Sequence, residues 1–206
     1  MVAIIDYDAG NIMSVKKALE YLGADAVITR DRDVILSADH VILPGVGAFA
    51  DAMAKIREYD LENTIKEVVA NKTPFLGICL GLQLIFDSSE EGAGVKGLAL
   101  LPGKIKKFDE NMGLKIPQIG WNSLHFTNDC PLFKGIDEGE YVYFVHSYYL
   151  VADEEGDVAA TANYGMDFHA AVWRDNVFAC QFHPEKSSQI GMKILQNFIN
   201  IGREGN

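Results

Sequence analysis

Cys79 lies between two glycines in the run Gly77-Ile78-Cys79-Leu80-Gly81, with an apolar strand pattern, Pro74 to Ile78, before it and a helical pattern, Leu82 to Phe86, after it. This is the arrangement of a nucleophile elbow with cysteine in place of serine. Glycine is needed on both sides because the nucleophile rides a sharp, strained turn where neighbouring side chains would collide with the sheet. The turn projects the sulfur at the strand's end, and the amides of the following helix favour the thiolate, the form that attacks carbonyl carbon. The alternative for a lone cysteine is a buried structural role, and the flanking glycines favour the elbow.

A thiol nucleophile needs a base to take its proton and return it to the leaving group. Of the five histidines, His183 is the candidate, in Gln181-Phe182-His183-Pro184-Glu185 at the end of the apolar strand Val177 to Phe182. Proline fixes a backbone dihedral between His183 and Glu185, and side chains two apart on an extended segment face the same way. Glu185 is thus placed to hold the imidazole in one tautomer, completing a Cys-His-Glu triad. Acyl transfer also needs donors for the developing oxyanion, and Pro44-Gly45-Val46-Gly47 lets backbone come close. The Leu80 amide is one expected donor, and Val46 or Gly47 supplies the other.

Other motifs fail on context. Gly92-Ala93-Gly94-Val95-Lys96-Gly97 has dinucleotide-binding spacing but follows a helix rather than a strand. His183-Pro184-Glu185 matches half of a zinc deaminase signature whose paired cysteines are missing. No metal or cofactor is expected. Cys180 reads as core and Cys130, before Pro131, as a turn residue; no partner is evident for His40, His125 or His169. The aromatic stretch Tyr141 to Tyr149 defaults to core. Asn71-Lys72-Thr73 fits the glycosylation pattern, which is too short and common to carry weight.

The elements that must position these groups are those of an α/β chain. Ala3 to Ile5, Ala26 to Thr29, His40 to Leu43 and Pro74 to Ile78 are apolar strand runs suited to a parallel sheet covered on both faces. Helical spacing covers Ile12 to Leu22, closed by Gly23, then Phe49 to Arg57, Leu61 to Ala70 and a final helix from Ser187 to Ile201. From Ile105 onward, closely spaced strands predict an antiparallel or mixed extension. The 206 residues, 49% hydrophobic, are enough for one sizeable core, and residues 1–206 are expected to form a single domain. A net charge of -11 without a basic stripe argues against nucleic acid. Three widely spaced cysteines and no signal or membrane-spanning segment predict a cytoplasmic protein.

The elbow and the His-Pro-Glu stretch together resemble the class I (triad) glutamine amidotransferases. Further stretches narrow the resemblance to glutaminase subunits of imidazole glycerol phosphate synthases: Asp6 to Asn11, Pro44 to Phe49, Pro117 to Asn122, Tyr143 to Tyr148, and Lys186-Ser187. One departure is Asp8, where the family usually has glycine. The resemblance implies a three-layer flavodoxin-like fold, a mostly parallel sheet flanked by helices, with a small additional mixed or antiparallel sheet. It implies glutamine hydrolysis, with ammonia channelled to a separate cyclase subunit in a heterodimer that makes imidazole glycerol phosphate and aminoimidazole carboxamide ribotide for histidine biosynthesis. By match to the family, Gln83 and the backbone around His146, Ser147 and Tyr148 hold glutamine, while Trp121, Asn122, Tyr143 and Lys186 lie near the partner interface and ammonia exit. It also implies a glutaminase nearly silent until the cyclase binds its ligand, which a peptide flip in Gly45 to Gly47 would explain. The alternatives are a glutaminase subunit of another ammonia-channelling synthase, such as pyridoxal phosphate synthase, and a non-catalytic scaffold of the same fold.

Overall fold

The computed structural model describes residues 1–202. The first half alternates strand and helix: β1 (Val2–Ile5), α1 (Ile12–Tyr21), β2 (Ala26–Thr29), α2 (Arg32–Leu36), β3 (His40–Leu43), α3 (Phe49–Glu58), α4 (Leu61–Ala70), β4 (Phe75–Ile78) and α5 (Leu80–Leu84). Strands dominate thereafter: β5 (Ser88–Ser89), β6 (Gly103–Lys107), β7 (Gln118–Ser123), β8 (His125–Phe126), β9 (Tyr141–His146), β10 (Tyr148–Ala152), β11 (Val158–Asn163), β12 (Asp167–Arg174) and β13 (Val177–Cys180), before α6 (Ser188–Asn200).

Five neighbouring strands, in the order β2-β1-β3-β4-β13, are parallel throughout. They read as continuous apolar runs because both faces are covered, with successive residues pointing to opposite sides. Val2 and Ile4 join a core shared with Leu19 of α1 and Ile194, Leu195 and Phe198 of α6. Ala3 and Ile5 join the opposite core with Phe49 and Met53 of α3 and Leu61 and Ile65 of α4. That is the three-layer arrangement expected.

β12 pairs antiparallel to β13 and carries the sheet onward through β10, β6 and β5, so most of the extension is continuous with the main sheet. The separate small sheet is the antiparallel pair β7 and β9. Several short elements escaped the sequence patterns, α2 and β7 among them. α2 spans five residues, too few to show a helical period, and is held by the Asp31 carboxylate accepting from the Asp33 and Val34 amides. β7, Gln-Ile-Gly-Trp-Asn-Ser, has no β-branched run and owes its form to pairing with β9.

Register decides what the strand ends bring together. Gly77 of β4 is paired with Leu43 of β3 on one side and Ala179 of β13 on the other. The segments that begin at Pro44, Cys79 and Gln181 therefore leave the sheet side by side, at the carboxyl ends where open α/β sheets place ligands. The first loop lies beside them. Asp8 adopts φ 64°, a left-handed conformation that glycine enters freely and Asp tolerates. Arg30 bonds both Asp6 and Asp8 at 2.8 and 2.7 Å, and the Tyr59 hydroxyl donates to Asp8, so the side chain that replaces glycine has two hydrogen-bond partners. Among the described residues, no helix is long and apolar enough to cross a membrane.

The tightest approach in this region is at Gly81, where a Cβ would sit 1.9 Å from the Leu43 carbonyl oxygen. That oxygen is backbone in the middle of the sheet and cannot swing away. Gly81→Ala is expected to destabilise the fold by about 3 kcal/mol, the upper end for overpacking, read as a lower midpoint in urea denaturation. An unchanged midpoint would contradict the close approach.

Candidate active site

Cys79 has φ 55° and ψ −107°, a conformation an L-residue holds only under constraint. Its amide donates to the Cys180 carbonyl at 2.8 Å, tying the elbow to β13. The two glycines have definite reasons: a Cβ at Gly77 would lie 2.8 Å from the Gly81 carbonyl oxygen, and Gly81 is pressed against Leu43. The following helix starts at Leu80, two residues earlier than its sequence pattern indicates.

His183 stands just past the end of β13, where its amide donates to the Tyr143 carbonyl at 2.9 Å and its carbonyl accepts from the Ser187 hydroxyl at 2.6 Å. Its Nδ1 lies 2.8 Å from Glu185 Oε1, with both side chains almost wholly buried. Asn11 Nδ2 donates to the same carboxylate oxygen at 3.3 Å. Among the described residues, Nε2 has no partner of ordinary hydrogen-bond geometry, but the Cys79 sulfur is close enough for its charge to act on the ring. Burial works against the imidazolium, and the Cys79 and Glu185 charges outweigh it, raising His183 from the ordinary 6.5 to about 9.

A cleft of about 440 Å³ collects the candidate groups: Cys79 and His183 line it together with Val46, Gly47, Leu80, Gln83, His146, Ser147, Tyr148 and Lys186. A larger, more open groove of about 840 Å³ between α1 and α6 is lined in part by Glu185 but by neither Cys79 nor His183; chemistry favours the smaller site. Gln83 Nε2 donates to the Tyr148 carbonyl at 3.3 Å and to Gln181 Oε1 at 3.0 Å. His146 packs its Nδ1 2.8 Å from the same carbonyl and its Nε2 3.0 Å from the Gln118 amide. Burial lowers His146 to about 4, so it is neutral at neutral pH.

At the expected oxyanion site, backbone packs against backbone. The Leu80 amide, expected to face the cleft, instead donates to the Gly45 carbonyl at 3.3 Å. The reason is steric as well as polar. A Cβ at Gly45 would fall 2.2 Å from the Tyr7 hydroxyl and 3.0 Å from Leu80 Cβ, so the loop backbone lies directly against the elbow. Tyr7 donates to the Pro44 carbonyl at 2.7 Å and fixes the loop's first residue. Gly47, at φ 100°, is where the loop turns, and Val46 is exposed.

Of the expected interface residues, only Lys186 lines the cleft. Its ammonium lies 6.0 Å from the Tyr143 ring, which in turn meets Trp121 edge to face at 6.1 Å. Trp121 is half exposed, whereas Asn122 turns its amide to the Asn163 carbonyl at 2.7 Å. The remaining histidines are structural: His40 Nε2 is 2.9 Å from the Ile201 carbonyl, His125 pairs with Glu138 at 3.2 Å, and His169 accepts from the Ala152 amide at 3.1 Å. Cys180 is core, and Cys130 is also buried, with its thiol pushed up to about 12 by burial. Sequence reasoning missed four contributors: Tyr7, Asn11, Gln118 and Gln181. Only Gln181 carried a usable signal, being two residues from His183 on an extended segment.

Because His183 is raised in the folded state, its pairing contributes stability that is fully present below pH 6.5 and lost as pH rises through about 9. An NMR titration is expected to place its imidazole near pH 9, with Cys79→Ala moving that value down and flattening the stability loss over the same range. Titration at the ordinary value in both proteins would refute the pair.

The match to known proteins extends well beyond these side chains. The family model for glutamine amidotransferase class-I matches residues 3–201. The imidazole glycerol phosphate synthase subunit HisH of Syntrophotalea carbinolica is 50% identical, covering 96% of this chain and 98% of that one. Its namesakes from Moorella thermoacetica and Methanocaldococcus jannaschii are 51% and 47% identical, covering 98% of this chain and 95% and 100% of theirs. Among solved structures, a glutamine amidotransferase matches with TM-score 0.77 at 19% identity, covering 98% of this chain and 100% of that one, a likeness of fold. Family match and half-identical relatives run the full length of the sheet that sets Cys79 beside His183: the chain belongs to the class I glutamine amidotransferases, among the glutaminase subunits of imidazole glycerol phosphate synthase.

Proposed function

We propose that the chain hydrolyses the side-chain amide of glutamine to glutamate and ammonia, and that the ammonia passes to a cyclase subunit making imidazole glycerol phosphate and aminoimidazole carboxamide ribotide in histidine biosynthesis. The observation that carries this reading is that the strained Cys79 elbow and His183, itself paired with buried Glu185, line one cleft. The names of its half-identical relatives support the synthase. On this reading the whole chain acts as one amidotransferase domain, in the cytoplasm.

Cys79 Sγ, as thiolate, attacks the amide carbon of glutamine while His183 holds the proton on Nε2. The tetrahedral intermediate collapses as Nε2 gives that proton to the amide nitrogen, and ammonia leaves with a thioester on Cys79. Water then attacks the thioester with His183 as base, the carbon–sulfur bond breaks, and glutamate departs. Glu185 keeps the imidazole oriented and stabilises its charge. An imidazole raised to about 9 is charged at neutral pH, the state needed in the first half-reaction. Gln83 and the edge formed by His146, Ser147 and Tyr148 hold glutamine, and Lys186, Tyr143, Trp121 and Asn122 mark the side facing the cyclase.

The Leu80–Gly45 contact bears on control. While the Gly45 carbonyl occupies the Leu80 amide, that donor is withheld from an oxyanion. Turning the peptide between Gly45 and Gly47 would free Leu80 and supply a second N–H, and glycine permits both orientations. Cyclase with its ligand bound is the partner that favours the turned state.

A glutamine-mimicking electrophile is expected to label Cys79 in the complex and not in Cys79→Ala. Glutaminase assays on the complex are expected to show turnover abolished in Cys79→Ala and lowered about 10²–10⁴-fold in His183→Ala, the usual scale for general acid–base catalysis. Absence of labelling with cyclase present would favour a scaffold. Full activity of the chain alone would refute partner gating.

A further inference from the structure

Gln181 is completely buried just beyond β13, and its two amide atoms have different partners. Nε2 lies 3.7 Å from Cys79 Sγ, while Oε1 accepts from Gln83 Nε2 at 3.0 Å. No step described above uses this side chain. Burying a primary amide is costly unless its donors and acceptor are matched, so these partners account for its being there.

Which end of the amide faces the sulfur follows from obligatory roles. The oxygen and nitrogen of a glutamine amide are told apart by what they bond. The anchor is the Tyr148 backbone carbonyl, which can only accept. Gln83 must present Nε2 to it, and the same Nε2 faces Gln181, so Gln181 must answer with Oε1. Its N–H end is left for the sulfur. The anchor is itself fixed, because His146 Nδ1 lies 2.8 Å from the Tyr148 carbonyl. Donor direction therefore runs without ambiguity from the strand edge at Tyr148 to Cys79.

We propose that Gln181 is a hydrogen-bond donor to the Cys79 sulfur, oriented by Gln83 and the Tyr148 carbonyl, and that it stabilises the thiolate and fixes its position for attack. The proposal rests on Cys79 being the nucleophile. A donor to an ionised group favours the ionised form. His183 surrenders its proton to the leaving nitrogen partway through the cycle, whereas an amide N–H does not titrate and keeps facing the sulfur in both half-reactions. The imidazolium charge and the amide donor are thus complementary.

Gln181→Met removes the N–H at similar volume. Gln181→Glu keeps an acceptor for Gln83 and sets a carboxylate against the sulfur. The measurement is the pH dependence of iodoacetamide alkylation at position 79 in the full chain, with mass spectrometry locating the label and Cys79→Ala as control. The half-maximal pH is expected to rise by about one unit in Gln181→Met, a tenfold slower reaction at neutral pH, and to rise also in Gln181→Glu. In the complex with cyclase, Gln181→Met is expected to lower kcat about tenfold with KM changed less than about threefold, the signature of a lost interaction with the reacting group. A packing role alone would lower the melting temperature and leave the half-maximal pH where it was; that result in both variants overturns the proposal. Should either variant fail to fold, Gln83→Leu with Gln181 intact releases the amide from its fixed orientation. It is expected to move the half-maximal pH upward by a smaller amount, and no movement overturns the proposal. Wild-type glutaminase activity with an unmoved half-maximal pH sinks the Gln181 role alone, whereas a Gln181-dependent shift in an inactive complex sinks the glutaminase function instead.

Discussion

Cys79 keeps a backbone conformation that free peptide avoids, and it does so because the sheet on either side leaves the chain nowhere else to go. Its amide is bonded to β13, Gly77 is pressed against Gly81, and Gly81 against the Leu43 carbonyl of β3. Strain of this kind costs about 1–3 kcal/mol and persists only when its surroundings over-determine it. The surroundings are three parallel strands in fixed register, ending together. Remove that register and neither the sulfur's position nor the neighbouring loops have a cause.

Burial then sets the electrostatics. In water, an imidazole, a carboxylate and a thiol within a few ångströms would influence one another weakly; where the His183 and Glu185 side chains are almost wholly buried, their charges act at low screening. The outcome depends on each group's company. His183, between Cys79 and Glu185, is raised to about 9, while His146, buried among Phe108, Phe144 and Phe168 with only amide and carbonyl partners, falls to about 4. Two histidines in one cleft are thereby separated into a charged one suited to proton transfer and a neutral one suited to holding backbone in place.

The loop from Pro44 to Gly47 shows the same close packing put to a different use. Tyr7 grips its first carbonyl and fills the space a side chain at Gly45 would need, so the loop rests on the elbow with a peptide oxygen against the Leu80 amide. Two glycines give it the freedom to exchange that oxygen for an N–H. On the proposed function, a site with nucleophile and acid in place but with the Leu80 amide occupied is suited to control by a partner that rights the loop.

Residue types alone settled the α/β alternation, the elbow and the His-Pro-Glu pairing, because each rests on local rules: apolar runs for buried parallel strands, glycine where backbone must approach backbone, and alternation across a short extended segment. The resemblance added the identities of Gln83 and the edge from His146 to Tyr148, which no local rule singles out. Short elements such as α2 and β7 were illegible, since five or six residues hold too little periodicity and their stability comes from a capping carboxylate or a partner strand. Tertiary structure alone decided that Tyr7 lies under Gly45, that Asn11 reaches Glu185, that the Leu80 amide is occupied, and that Gln181 turns its N–H toward sulfur. Each of these joins atoms from segments far apart in the chain, and such meetings are fixed by strand register and packing.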